Sequence, residues 1–221
     1  MENIAQIYDD YIPLDWCQSL ENILLKNDTI NLFDFGKNSD KRWVHNYSTA
    51  PLLFENEKQK DSFQHTSLLL DGKDFRDRAV VNFFATFFSW MPFGVDGIMR
   101  IKANYTTPKI NFTTENYQNI HTDNNKETFS ILLYVSESDG DTFLFDKEGK
   151  NVIDHIPYKR GRVAVIPSTT PHAGQFPTKH NSRLVINSIV QKIVDKNVVE
   201  GRDEPGTGDN FFTEKKIKLY K

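Results

Sequence analysis

"TFSILLYVSESDGDTFLFDKEGKNVIDHIPYKRGRVAVIP", residues 128 to 167, is a succession of short apolar runs divided by turn residues. The runs Thr128–Val135, Asp141–Phe145, Asn151–Ile156 and Arg162–Pro167 are rich in Val, Ile, Phe and Thr, and "ESDGD", "DKEGK" and "YKRG" separate them. Such runs are too short for helices and are bounded by Gly, Asp and Lys clusters, which reads as strands and turns. Outward from this stretch, "IMRIKANY" before it and "RLVINSIV" after it have the same character. Many short strands at near-regular spacing predict a sandwich or jelly roll.

Upstream of residue 98 the character changes. "PLDWCQSLENILLK" places Pro13 at a helix-opening position and Trp16, Leu20, Ile23 and Leu24 at helical spacing. A second helical pattern is read over "DSFQHTSLLL". A third covers "KDFRDRAVVNFFATFFSW", where Val80, Phe83, Phe84, Phe87 and Phe88 make a broad apolar stripe, stopped by Pro92 and Gly94. The expectation is one mainly β domain over 1–221: a helical support in 1–97 packed on one sheet, a β core in 98–192, and a polar tail in 193–221.

Composition bounds the function. With 38% hydrophobic residues, 13% aromatic and 17 Phe, the chain can bury a real core. A net charge of -3 gives no general attraction to nucleic acid or to an anionic membrane, so neither is an expected partner. The single Cys17 excludes an internal disulfide and a cysteine-based zinc site, and is read as a core residue of the first helix. The acidic start "MENIAQIYDD" is unlike a signal peptide, and no run is apolar enough to span a bilayer; the expected location is the cytoplasm.

His121 and Asp123 stand two positions apart before the first quoted strand, so on a strand they would share a face. That pair alone is a surface accident, a hydrogen-bonded pair or two thirds of a metal site. His172, in "IPSTTPHAG", lies 51 positions on (172 − 121 = 51) and would reach the pair from another strand. Two imidazoles and a carboxylate suit iron(II) with open positions, or zinc. Arg183, opening the last strand, would return to the cavity beneath the metal, and a buried guanidinium calls for a carboxylate. Zinc hydrolases have no such need.

"HTD", "DGDTFLF", "GRVAVIPSTTPHAG" and "SRLVINSIV" together resemble the iron(II) and 2-oxoglutarate-dependent oxygenases, specifically the prolyl 4-hydroxylase-like group. The resemblance covers residues 100 to 190. It implies a double-stranded β-helix, which is the jelly roll, with His121, Asp123 and His172 as iron(II) ligands and Arg183 binding 2-oxoglutarate. It further implies O2 as co-substrate, ascorbate as a helper, and succinate and CO2 as products. The family's tyrosine after the HxD motif falls at Leu133 beside Tyr134, and Tyr105 stands where another family tyrosine lies near the co-substrate. Asp123 is retained where related halogenases carry a small residue, which implies oxygen insertion. A prolyl residue of a protein or peptide is the substrate the resemblance implies first, with a free amino acid or other small metabolite second. A non-catalytic, cupin-like metal module is the rival from another class, and it would have no use for Arg183. The segment "TTPKINFTTENYQN", 106 to 119, is expected to act as a lid, with Phe112 and Tyr117 closing over the substrate.

Overall fold

The computed structural model describes residues 4–26, 44–45, 64–72, 74–75, 78–108 and 116–196. In chain order the elements are β1 (Gln6–Tyr8), α1 (Leu14–Lys26), β2 (Val44–His45), β3 (Gln64–Asp71), β4 (Asp74–Phe75), α2 (Arg78–Trp90), β5 (Phe93–Thr106), β6 (Phe129–Tyr134), β7 (Thr142–Phe145), β8 (Val152–Ile156), β9 (Val163–Pro167), β10 (His172–Gly174) and β11 (Arg183–Asp195). The large sheet runs β1-β9-β6-β11-β5-β3-β2, with β4 paired to β3, and the small one runs β10-β7-β8. Bridges Tyr117–Gln175 and His121–His172 lay the segment from Tyr117 to His121 along β10, which widens the small sheet. The result is the expected jelly roll, a double-stranded β-helix.

Both faces of the large sheet are covered, for different purposes. On one, Cys17, Leu20 and Leu24 of α1 and Phe84 and Phe87 of α2 meet Ile101, Ala103, Ile131, Leu133, Leu184 and Ile186, all buried. Trp16 stacks on Phe87 with ring centroids 6.1 Å apart and meets Trp90 edge-on at 5.5 Å. The carbonyl of Pro13 accepts the first amides of α1, from Trp16 and Cys17. On the other face Leu132, Tyr134, Ala164, Ile166 and Val185 pack against Leu144 and Ile156 of the small sheet. A sheet covered on both faces explains why β6 and the first eight residues of β11 are almost all buried rather than alternating.

Three expectations change. The described part of "DSFQHTSLLL" is no helix but belongs to β3, paired with β5 over seven registered positions. Thr66 and Leu68 are half-buried while Ser67 and Leu69 are buried, the period-2 alternation of a strand, and an irregularity between Leu68 and Leu70 turns Leu70 inward as well. Its pairing removes an open edge from the long β5. Second, β5 starts at Phe93, directly after the helix stop, so Gly94 lies inside a strand. Third, the N-terminal segment contributes β1 to the large sheet, where Gln6, Ile7 and Tyr8 pair with β9. Phe112, Trp43, Lys109 to Thr114 and the tail from 197 onward lie outside the described residues. Among the described residues no helix is long and apolar enough to cross a membrane.

Candidate active site

His121 and Asp123 are not on a regular strand. His121 makes a two-way backbone bridge with His172, its N–H donating at 3.0 Å and its carbonyl accepting at 2.9 Å. Two residues later the amide of Asp123 donates to the carbonyl of Ser168. The pair therefore converges by being threaded along the segment that leads into β10, not by strand alternation. His172 itself is the first residue of β10, a short strand of the small sheet separate from β9. One ligand atom from each of His121, Asp123 and His172 lies within 4.8 Å of the others.

The remaining ring nitrogens decide the chemistry. Nδ1 of His121 lies 2.9 Å from the carbonyl of Asn119, and Nδ1 of His172 lies 2.9 Å from the carbonyl of Thr170. A carbonyl only accepts, so each Nδ1 carries the proton and each Nε2 presents a lone pair. Both imidazoles are thus oriented as metal ligands are, held by a backbone carbonyl behind them. Nε2 of His172 is 3.5 Å from Oδ2 of Asp123.

Asp123 is held from below. Ser130 Oγ donates to Oδ2 at 2.7 Å, and Nδ2 of Asn187 donates to both carboxylate oxygens at 2.8 Å. Ser168, 2.9 Å from Ser130 Oγ, completes the chain. Burial would raise the Asp123 pKa, but His172, His121 and Lys102 beside it and the Ser130 hydrogen bond together hold it well below the usual carboxylate range. Burial pushes the His121 imidazole down to about 4, with His172 adding to the effect. Asp123 is therefore a carboxylate and His121 a neutral imidazole at neutral pH, and with His172 beside them they make a donor set suited to a divalent cation.

Arg183 reaches the same cavity from the first position of β11. It is 4% exposed, its Nε donates to the carbonyl of Gly140 at 2.8 Å and its Nη2 to Thr142 Oγ1 at 2.8 Å. Thr142 Oγ1 also accepts from the hydroxyl of the fully buried Tyr134 at 2.8 Å. The guanidinium lies 5.9 Å from the ring centroids of both Tyr134 and Tyr158. No carboxylate among the described residues pairs with it. Burial lowers its pKa, partly opposed by Tyr134, Tyr158 and Asp141. A buried cation without a counter-ion is costly unless an anion arrives.

Arg183 does not share a sheet with His172, as a simple hairpin would have it. The turn between them crosses from the small sheet to the large one, and β11 pairs with β5 and β6. Of the two tyrosines, Tyr134 stands in the Arg183 cluster, whereas Leu133 points into the helix-side core. Tyr105, expected near the co-substrate, also packs against that helix-side core. Thr106 takes the cavity face there and accepts from Gln118 at 2.9 Å. Tyr117 is not free to close over a substrate: its ring packs on Phe143 and Phe145 at 5.8 and 5.3 Å. The sequence reading missed Ser130, Asn187 and Thr142. Only Asn187 left a trace, as a lone amide in an apolar strand on the same face as Arg183.

The jelly roll thus gathers between its sheets two imidazoles with outward lone pairs, a carboxylate and an arginine without a carboxylate partner among the described residues. Among solved structures the chain is similar to the viral collagen prolyl hydroxylase of Paramecium Bursaria Chlorella virus-1 in its 2OG complex: 12% identity, 86% of this chain and 97% of that one, TM-score 0.50. It is also similar to a prolyl hydroxylase from Trichoplax adhaerens in complex with a hypoxia inducible factor oxygen degradation domain peptide fragment, at 12% identity, covering 91% and 88%, with a TM-score of 0.51. At such identity the likeness establishes the fold. No family model matches the chain, and no curated protein matches it.

Proposed function

We propose that this chain is an iron(II)- and 2-oxoglutarate-dependent dioxygenase that hydroxylates a C–H bond, with a prolyl residue of a peptide or protein as its first candidate substrate. The observation that carries the reading is the pairing of the His121–Asp123–His172 cluster with a buried, uncompensated Arg183 in one cavity. His121, Asp123 and His172 would hold iron(II), and Arg183 with Thr142 and Tyr134 would hold the distal carboxylate of 2-oxoglutarate. Iron with 2-oxoglutarate and O2 supplies an oxidant for C–H bonds, with succinate and CO2 as products. The chain's own residues do the rest: Ser130 and Asn187 fix the carboxylate, the backbone carbonyls of Asn119 and Thr170 fix the imidazoles, and the inter-sheet core of Leu132, Leu144 and Ile166 shields the cavity from water. A metal module without turnover would leave Arg183 buried to no purpose. The prolyl reading is supported by the two structural relatives, both prolyl hydroxylases.

The test is to incubate purified protein with iron(II), ascorbate and 2-oxoglutarate and follow succinate, then to screen prolyl peptides and lysate by mass spectrometry for a gain of one oxygen. Succinate formation that depends on both iron and His172 is expected. Absence of any 2-oxoglutarate turnover by iron-loaded protein overturns the reading.

A further inference from the structure

Directly opposed residues of neighbouring strands share a face, and on the cavity face of β11 and β5 the pairs run Arg183–Thr106, Val185–Asn104, Asn187–Lys102 and Ile189–Arg100. Four residues of strand separate Arg183 from Asn187, a span of about 13 Å. Asn187 grips Asp123, so Lys102 is level with the His–Asp–His cluster and Arg100 lies beyond it, on the side away from Arg183. The proposed 2-oxoglutarate clamp and these two cations are therefore at opposite ends of the cavity.

Neither cation has a full set of partners. Nη2 of Arg100 is 3.5 Å from Oδ1 of Asp123, beyond hydrogen-bond length, and Nε of Arg100 is buried with no partner. Among the described residues the ammonium of Lys102 has no hydrogen-bond acceptor. Asp123 does not need them as anchors, because Ser130 and Asn187 already hold both of its oxygens. Two cations thus share one carboxylate, and a divalent metal on that carboxylate would deepen the excess of positive charge. The 2-oxoglutarate carboxylate that neutralises Arg183 is too far along the strand to serve them. The Arg100 side chain is 31% exposed and Lys102 partly buried, so water reaches them now, and a neutral group that displaced this water at the metal's open side would leave both without an acceptor.

We propose that Arg100 and Lys102 form a second anion subsite, which receives a carboxylate of the substrate beside the C–H bond that is oxidised. This rests on the oxygenase reading and narrows its substrate to an acid. The subsite orients the substrate through charge while the apolar cavity wall contacts its carbon skeleton.

The test reads binding, not turnover. Protein loaded with Mn(II) and saturating 2-oxoglutarate is titrated with carbon-13-labelled acetate or acetamide, and relaxation of the labelled carbon by the bound manganese is measured. Acetate should be relaxed about tenfold more strongly than acetamide, and Lys102→Met or Arg100→Gln should each remove most of that excess. Equal relaxation of the two probes in the parent overturns the subsite without need of any variant, as does an excess that survives both substitutions. Electron paramagnetic resonance counts the bound Mn(II) in the same samples. Failure of the parent to hold it overturns the metal reading and the subsite together, whereas bound Mn(II) with equal probe relaxation overturns the subsite alone. Displacement of the acetate by free glutamate and not by acetyl-Pro-Glu-amide assigns a free amino acid as the source, and the reverse assigns an acidic side chain of a peptide.

Discussion

Gly174 sets where the guanidinium of Arg183 can lie. A Cβ built on it would stand 2.9 Å from Nη1 and 3.0 Å from Cζ of Arg183, so a side chain there pushes the arginine out of its seat. Gly174→Ala should therefore weaken 2-oxoglutarate binding by about tenfold while Mn(II) binding is unchanged, both read by calorimetry. Arg183→Ala should go further, because it removes the charge: a loss of about 2 to 5 kcal/mol in 2-oxoglutarate affinity, with the metal again retained. A parallel loss of metal in either variant would place Arg183 elsewhere in the chemistry. His121 gives a pH prediction. Its folded pKa of about 4 lies below the ordinary 6.5, so between those values the unfolded chain binds the extra proton. This contribution to stability is complete above 6.5 and is lost as pH falls toward 4; melting curves of metal-free protein should show it, and His121→Gln should flatten that slope. At this scale the sequence was readable where rare residue types recur, as in the convergence of His121, Asp123 and His172. It was silent on Ser130 and Thr142, because hydroxyls are common in strands and only the fold reveals which one faces a carboxylate or a guanidinium. Parity decides the face of Tyr105: one position along a strand turns a side chain from the cavity to the helices.

The turn from β10 to β11 carries Arg183 from one sheet to the other, and Asp139 organises it. Its carboxylate accepts the amides of Thr178 and Lys179 and the hydroxyl of Thr178. Burial would raise its pKa, yet those hydrogen bonds outweigh burial and lower it. A carboxyl depressed in the fold contributes stability above its unfolded value, and that contribution is lost as pH falls through the lower folded value. Asp139→Asn keeps the shape but loses charge-assisted acceptance, and should cost about 1 to 2 kcal/mol by denaturant titration, with a matching fall in 2-oxoglutarate affinity as Arg183 loosens. An unchanged affinity with lowered stability would separate the turn from the site. Element boundaries were legible for β6 to β9, where Gly and Asp turns punctuate apolar runs. β3 was not, because three consecutive leucines satisfy a helix or a strand equally well, and the partner that chooses between them, β5, lies some thirty positions later in the chain.

Across the whole molecule, two helices on one face of the large sheet support a cavity on the other. Phe87, 1% exposed and stacked on Trp16, anchors that support, and Phe87→Ala should cost about 3 to 5 kcal/mol of stability. Metal links the two faces energetically. Saturation with Mn(II) at about a hundredfold excess over its dissociation constant should add about 2.7 kcal/mol, seen as a raised melting temperature that His172→Ala abolishes. The jelly roll itself was legible from strand spacing, and the phenylalanine stripe of α2 showed that this helix must lie against a large apolar surface. What could not be read was the path of β1 and β3 into the large sheet, since those pairings join segments far apart in the chain. β11 carries Arg183 and Asn187 on one pleated face, so it works as a gauge with fixed graduations: the distance from the arginine to the His–Asp–His cluster can change only by two residues at a time, about 7 Å, since a single step turns the guanidinium toward the helices. Oxo-diacids one carbon shorter or longer differ by far less than one graduation. On the proposed reading, relocating the arginine along β11 therefore offers no intermediate setting suited to a neighbouring homologue.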